Sequence, residues 1–282
     1  MIWQTSRFAI DLQRPQVMGI VNLTPDSFSG DGLLGGDGGA TSALRRCEQL
    51  LREGADLLDL GAESSRPGAP PVSAHEELQR LAPVVREAVR WGVPISVDTC
   101  KPSVMQAVLD LGVDIINDIW ALRQVGAVEV VAAHGHCGVC LMHMHREPQT
   151  MQSQPMKGSV LAPVRDFLRR AAQDLRQAGV AAERIVLDPG VGFGKTVAQN
   201  FELLQQQKML LDLGYPLVAA WSRKSSLGAV MGEPQEPLPT AERLPGSLSA
   251  AVLAVERGAR IVRVHDVAAT VGALRVWQAA CR

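Results

Sequence analysis

Several short apolar runs in this chain end in a side chain that can bind or transfer something. Asp98 closes "PISVD", Asn117 and Asp118 end "DIINDI", Asp188 closes "RIVLD", and Lys224 stands two residues beyond "PLVAAWS". Carboxylates, an amide and an ammonium around one opening make a ring of donors and acceptors. Such a ring suits a flat heterocycle with several N–H and C=O edges, because a carboxylate accepts two parallel N–H bonds from a guanidine-like edge. A second set is built for an anion. Asn22 closes "QVMGIVN", Arg66 lies in "SSRPG", and Arg263 and His265 lie in "RIVRVHD". Arginine grips phosphate through paired N–H bonds, and histidine can add another.

Asp59 with Glu63, His143, Ser222 and Arg223 complete the polar strand ends. One Asp in such a place is ordinarily a helix cap or a turn former. Polar groups at the ends of eight runs, converging on one rim, make a site. No Gly-x-Ser-x-Gly elbow and no metalloprotease spacing occur, so no nucleophile stands out. The expected chemistry is transfer with an anionic leaving group, driven by positioning and charge stabilisation.

Two stretches suggest other chemistry and fall short of it. "LDPGVGFGKT" resembles a nucleotide-phosphate loop, but Pro189 stands where the first glycine belongs and Gly190 comes one place late. "HGHCGVCLMHMH" places Cys137 and Cys140 among histidines, half of a zinc site, yet "VCLMHM" reads as a strand and no second Cys-x-x-Cys exists. A helix–turn–strand junction is the simpler reading. Lys195, in the glycine turn, reads as a solvated loop charge.

The elements that position these residues follow one rhythm. The runs 16–22, 56–61, 94–98, 114–119, 138–143, 184–188, 216–222 and 260–266 are nearly continuous in apolar residues, as parallel strands buried on both faces are. Helical patterns lie between them. "SAHEELQRLAPVVREAVRW" opens with Ser73 and Glu76 as a capping box, and "PVRDFLRRAAQDLRQAGV" and "QNFELLQQQKMLLDLG" stop at Gly179 and Gly214. Eight β-then-α units in about 250 residues predict an α/β fold, a single-domain (β/α)8 TIM barrel over residues 1–282. An open doubly wound sheet would need a Gly-x-Gly-x-x-Gly turn after its first strand, and "VNLTPDSFSG" is not one. The stretches 22–39 and 232–239 read as long mobile loops. "ATVGALRVWQAA" reads as a helix on the barrel's outside, its apolar face being the alternative dimer surface.

The chain has 282 residues with a net charge of −1, which disfavours a nucleic-acid or membrane-surface partner. No apolar stretch approaches the ~20 residues of a membrane helix. The N-terminus lacks a signal-peptide h-region, and five unpaired cysteines fit a reducing compartment, so a cytoplasmic location is expected.

In chain order, "MGIVNLTPDSFSGDG", "GADLLDLGAESSRPGA", "ISVDTCKP", "IINDI", "CLMHM", "LDPGVGFGK", "WSRKS", "ERLPGSLS" and "IVRVHD" are similar to the signatures of the dihydropteroate synthases of folate biosynthesis. The resemblance covers almost the whole chain. It implies a homodimeric transferase, the target of sulfonamides, that joins 6-hydroxymethyl-7,8-dihydropterin diphosphate to 4-aminobenzoate. Asp98, Asn117, Asp188 and Lys224 would then hold the pterin, with Met142 and Phe193 packed on it. Asn22 would help bind Mg2+ on the diphosphate, whose oxygens would meet Arg66, Arg263 and His265. Ser65, Arg66, Pro67, Phe193 and Ser222 would border the aminobenzoate pocket. Asp188, Lys224, Arg263 and His265 would carry the catalysis. The implied mechanism breaks the pterin C–O bond first, leaving a carbocation that the amine attacks, while the loops after strands one and two close over it and exclude water.

The chain departs from that pattern in places. Ala62 and Ser65 replace a glycine and a threonine, Val191 stands where phenylalanine is common, and the first loop reads Ser-Gly-Asp-Gly. Ala220 replaces a glycine, and a methyl facing the pterin would crowd it at roughly 1–3 kcal/mol. Two other readings follow: a pterin-binding relative without turnover, and a pterin-dependent methyltransferase module. The latter serves a corrinoid and would not need the Ser65–Pro67 or Ser222–Lys224 runs.

Overall fold

The computed structural model describes residues 1–24, 37–64, 71–147, 150–233 and 235–281. The chain opens with an antiparallel hairpin of β1 (Ile2–Gln4) and β2 (Ala9–Asp11). Eight parallel strands follow: β3 (Gln16–Asn22), β4 (Leu57–Gly61), β5 (Ile95–Asp98), β6 (Ile115–Asp118), β7 (Gly138–Met142), β8 (Ile185–Asp188), β9 (Leu217–Ala219) and β10 (Ala259–Val264). They succeed one another round a closed ring, with β10 between β9 and β3. The helices between them are α1 (Asp37–Arg52), α2 (Ala74–Ala88), α3 (Pro102–Asp110), α4 (Ala127–His134), α5 (Leu161–Gln177), α6 (Val197–Gln205), α7 (Ser225–Met231), α8 (Leu244–Glu256) and α9 (Val267–Ala280). The expected (β/α)8 TIM barrel is the fold.

Both strand faces are buried, which is why the sequence runs look uniformly apolar. One face packs outward: Val17, Leu58, Val97, Ile116, Leu141, Leu187, Ala219 and Val262 share a core with the helices. The other faces the barrel axis, where Met18, Leu57, Ile115, Cys140, Val186, Val218 and Ile261 form an apolar layer. Strand side chains alternate with period two. Two residues further on, each strand therefore aims its next inward side chain at the layer above, and there the chemistry changes. Asp59, Asn117, Met142, Asp188, Ala220 and Arg263 stand in those positions. Asn22, Ser222 and His265 come two residues later again, at the mouth.

The hairpin plugs the opposite end. Trp3, Ile10 and Leu12 pack against the interior layer, and Trp3 Nε1 donates to Arg184 O at 3.0 Å. Its strands of three residues are too short to show a sustained alternation, so they do not stand out from the residue pattern.

Local details correct several expectations. Ser73 caps α2 by accepting from Glu76 N at 3.2 Å, but Glu76 turns to Arg80, so the box is half formed. The full capping box is Thr196 with Gln199 at α6. The helix expected to stop at Gly214 breaks after α6 into 3-10 turns over Gln207–Leu213. Among the described residues of 232–239, Leu238 N donates to Gly228 O at 3.0 Å. Cys137, in the α4–β7 junction, belongs to the outer core, and Cys140, on β7, belongs to the barrel interior. Helix α9 lies on the barrel through Val267, Thr270 and Leu274, with Val276 facing outward.

Candidate active site

Arg263 lies at the centre of the upper layer. Its Nε donates to Asp59 Oδ2 at 2.6 Å and its Nη2 to Asp98 Oδ2 at 2.8 Å. Burial works against its charge, but the two carboxylates outweigh it and hold the guanidinium above its usual range. Asp59 is wholly buried and binds on three sides, accepting also from Ser96 Oγ at 2.6 Å and Asn117 Nδ2 at 3.1 Å. The Asn117 amide is thereby oriented, its nitrogen to Asp59. Burial pushes the Asp98 carboxyl up to about 7, with Arg263 opposing. Register sets these neighbours: Asp59 pairs with Ser96, and Asp98 with Asn117.

Across the mouth, Asp188 Oδ1 accepts from Gly190 N at 2.7 Å. Burial raises its carboxyl, while that N–H and then Lys224, Arg263 and Lys195 pull it back. Lys224 Nζ lies 4.4 Å from the centre of the Phe193 ring, a cation–π contact. Burial lowers its ammonium to about 8, Asp188 opposing. Met142 and Phe193 join Met144 and Met151 in a separate apolar cluster with Ile119 and Trp120 at its edge. The turn after β8 needs its glycines, since at Gly190 (φ +69°) a Cβ would lie 1.8 Å from His143 O.

The third group sits on the turn after β9. Arg223 there has φ +61°, uncommon for a side-chain-bearing residue. The motif "ERLPGSLS" explains how it is held: Ser247 Oγ accepts from Arg223 N at 2.9 Å and Arg243 Nη1 donates to Arg223 O at 3.1 Å. The turn sets Ser222 against His265, whose backbone N donates to Ser222 Oγ at 3.1 Å while Nδ1 lies 3.0 Å from that hydroxyl. Burial, followed by Arg223 and Arg263, lowers His265 to about 3. His265 is therefore a neutral donor, not a charge.

Asp98, Asn117, Met142, Asp188, Phe193, Ser222, Lys224, Arg263 and His265 thus gather at the C-terminal end of the barrel, with Asn22 at the end of β3. Ser65, Arg66 and Pro67 lie outside the described residues, as do the altered residues of the first loop. Asp118 does not join the ring: its two oxygens accept from Trp120 N and Leu122 N, both at 2.7 Å, and form a turn. Lys195 is not solvated either. It is 3% exposed and bonded to His143 Nδ1, Gly190 O and Phe193 O. Asp59 was visible only as one polar strand end; its place two residues after Leu57 is the signal that marks it as an inward, interior carboxylate. Val191 packs in the outer core, away from the mouth.

Comparison with known proteins gives the family. Residues 18–265 match the family described as pterin binding enzyme. A dihydropteroate synthase of Neisseria meningitidis serogroup B is 48% identical over 282 residues, covering 99% of this chain and 97% of that one. The Burkholderia cenocepacia dihydropteroate synthase, solved with 7,8-dihydropteroate, is 51% identical with a TM-score of 0.87, covering 99% and 96% of the two chains. That of Xanthomonas albilineans, solved with 4-aminobenzoic acid, is 44% identical with a TM-score of 0.88, covering 97% and 96%. The chain belongs to the pterin-binding enzyme family and, within it, to the dihydropteroate synthases.

Proposed function

We propose that the chain, acting as one barrel over residues 1–282, condenses 6-hydroxymethyl-7,8-dihydropterin diphosphate with 4-aminobenzoate to give 7,8-dihydropteroate and diphosphate. The observation that carries this reading is the gathering of Asp98, Asn117, Asp188 and Arg263 at the inward strand ends, with Lys224 reaching in over Phe193 from the turn after β9. Full-length similarity to a synthase solved with the same product supports it.

Asp98 and Asp188 offer carboxylates to the N–H edges of the pterin, and Asn117, oriented by Asp59, offers its amide oxygen. Lys224 donates to a ring acceptor, while Met142 and Phe193 pack on the faces. Two of the five Arg263 N–H donors go to Asp59 and Asp98, and others can meet the departing diphosphate. His265 donates one neutral N–H there, and Arg66 adds charge. With Asp188 ionised beside the ring, positive charge developing on the carbon that loses diphosphate is stabilised before the amine attacks. Ser65, Arg66, Pro67, Phe193 and Ser222 border the aminobenzoate.

The donor set suits Mg2+ carried in on the diphosphate. Among the described residues no group of three His, Cys, Asp or Glu side chains is arranged to hold a metal. Asn22 supplies one hard amide oxygen on β3, and Mg2+ ordinarily binds through few protein oxygens plus substrate phosphate and water. When bound, the ion neutralises charge on the leaving diphosphate. We also propose a cytoplasmic homodimer acting on small molecules; among the described residues no helix is long and apolar enough to cross a membrane. Exposed Leu253 on α8 and Val276 on α9 offer a face for a second copy.

The test is calorimetric binding of 6-hydroxymethyl-7,8-dihydropterin. Asp98→Asn and Asp188→Asn are expected each to weaken it about 10- to 100-fold, the worth of a hydrogen bond to a charged group. Unchanged affinity in both would sink the ring as the pterin site.

A further inference from the structure

Lys195 is a buried cation for which the reaction just described has no use. Its Nζ lies 2.7 Å from Gly190 O, 3.2 Å from Phe193 O and 2.8 Å from His143 Nδ1, and none of these partners is a carboxylate. The turn it occupies does not need it for closure. Phe193 N already donates to Gly190 O at 3.2 Å, Gly192 N to Asn200 Oδ1 at 2.9 Å, and Gln152 Nε2 to Gly192 O at 2.6 Å. An uncharged side chain would avoid the penalty of burying an ammonium, and that penalty is visible here: burial lowers Lys195 to about 7.

What the ammonium touches leads to the pterin site by three routes. Gly190, whose carbonyl it binds, donates its own N–H to Asp188. Phe193, whose carbonyl it also binds, carries the ring beneath Lys224. His143, its third partner, donates its backbone N–H to Asp188 O at 2.9 Å. We propose that Lys195 is a positioning residue of the pterin site: seated on Gly190 O, Phe193 O and His143 Nδ1, its ammonium presents positive charge to the Asp188 carboxylate and fixes Asp188 relative to Phe193. The proposal rests on Asp188 being a pterin-binding carboxylate.

The cradle also survives loss of the proton. An ammonium donates to all three acceptors. A neutral amine keeps two N–H groups for the carbonyls and accepts from His143 Nδ1–H, which a neutral imidazole can supply. Burial, followed by Lys195 itself, keeps His143 neutral by lowering it to about 2. Titration of Lys195 therefore changes the charge facing Asp188 without dismantling the turn. The other titratable groups facing Asp188 are Lys224 after β9, Arg263 on β10 and Cys140 on β7.

The experiment measures binding of 6-hydroxymethyl-7,8-dihydropterin by calorimetry from pH 5 to 8.5, with thermal unfolding alongside. The proteins are wild type, Lys195→Met, Lys195→Arg, and Thr196→Ala, which loosens the same segment by removing the cap of α6. Lys195→Met is expected to weaken pterin binding tenfold or more at pH 7. It should also move the acid limb of binding upward by about one pH unit, one tenfold step in Asp188 ionisation. Thr196→Ala should lower the melting temperature and leave the acid limb in place, and Lys195→Arg should restore part of the limb. In an Asp188→Asn background, Lys195→Met should lose most of its effect on affinity.

Three results would overturn the proposal. One is a Lys195→Met effect no larger than that of Thr196→Ala, with an unmoved acid limb. Another is an effect that persists undiminished without the Asp188 carboxylate. The third is failure of both Lys195 variants to fold, which would make the lysine a folding determinant instead. Should Asp188→Asn alone leave pterin affinity unchanged, the fault would lie in the pterin-site assignment and not in Lys195.

Discussion

Replacing Asp59 by asparagine separates the charge of the buried hub from its hydrogen bonds. Asp59 accepts from Ser96 Oγ on one oxygen, and from Asn117 Nδ2 and Arg263 Nε on the other. An asparagine can turn its nitrogen toward Ser96, whose hydroxyl reverses to accept, and keep its oxygen toward Asn117 and Arg263. All three contacts then remain, and only the negative charge is lost. A hydrogen bond to a charged partner is about twice as strong as a neutral one, and Arg263 keeps Asp98 as counter-ion, so the expected cost is about 2–3 kcal/mol. For a chain of this size that lowers Tm by about 4–12 °C. Asp59→Ala also leaves Asn117 Nδ2 without its acceptor and should cost about 3–5 kcal/mol, the range for breaking a buried pair. Binding should suffer with stability, because Asp98 becomes the sole counter-ion of Arg263 and is less available to the pterin. The assays are urea unfolding and pterin calorimetry on both variants. If Asp59→Asn unfolds within 0.5 kcal/mol of wild type, or Asp59→Ala is no worse than Asp59→Asn, the hub argument fails.

Other outcomes follow from the same geometry. Lys224 is a cation below about 8, so pterin affinity should fall as pH rises through that value, and a flat profile to pH 9 would contradict the role given to it. Both buried lysines bind protons more weakly folded than unfolded. Their contribution to stability therefore grows as pH rises from about 7 toward 10.5, which difference titration of Lys224→Met against wild type would detect. Ala220 shares the inward layer with Asp188, and Ala220→Gly should tighten pterin binding by about 5- to 150-fold if its methyl crowds the ring at roughly 1–3 kcal/mol; weaker binding would show that the methyl packs favourably. Trp3→Ala, which empties the plug under the barrel, should cost about 3–5 kcal/mol in unfolding while leaving both KM values unchanged.

Much of this architecture was legible because parallel barrel strands bury both faces, so the eight runs stood out as apolar and nearly all carried a polar residue at or beside their ends. Asp98, Asn117, Asp188, Lys224 and Arg263, picked out at or near those ends, do lie together at the C-terminal end of the barrel. Lys195 was misread because charge in a glycine turn ordinarily means solvent, and its partner His143 comes from the neighbouring strand, 52 positions away in the chain. Asp118 and Asn117 are adjacent in sequence, yet period two sends one outward into a turn and the other inward to the site. The hairpin β1–β2 was missed because three-residue strands carry too little pattern, and their stability comes from Trp3 and Ile10 packing under the barrel. The break after α6 likewise has no glycine or proline to announce it.

The most direct measurement supplies purified protein with 6-hydroxymethyl-7,8-dihydropterin diphosphate and Mg2+, with and without 4-aminobenzoate, and follows both diphosphate and dihydropteroate. One dihydropteroate should form for each diphosphate released when both substrates are present, with both signals lost in Lys224→Ala. Binding of the pterin diphosphate without any condensed product would contradict the proposed function, and would leave a pterin-binding protein that does not turn over.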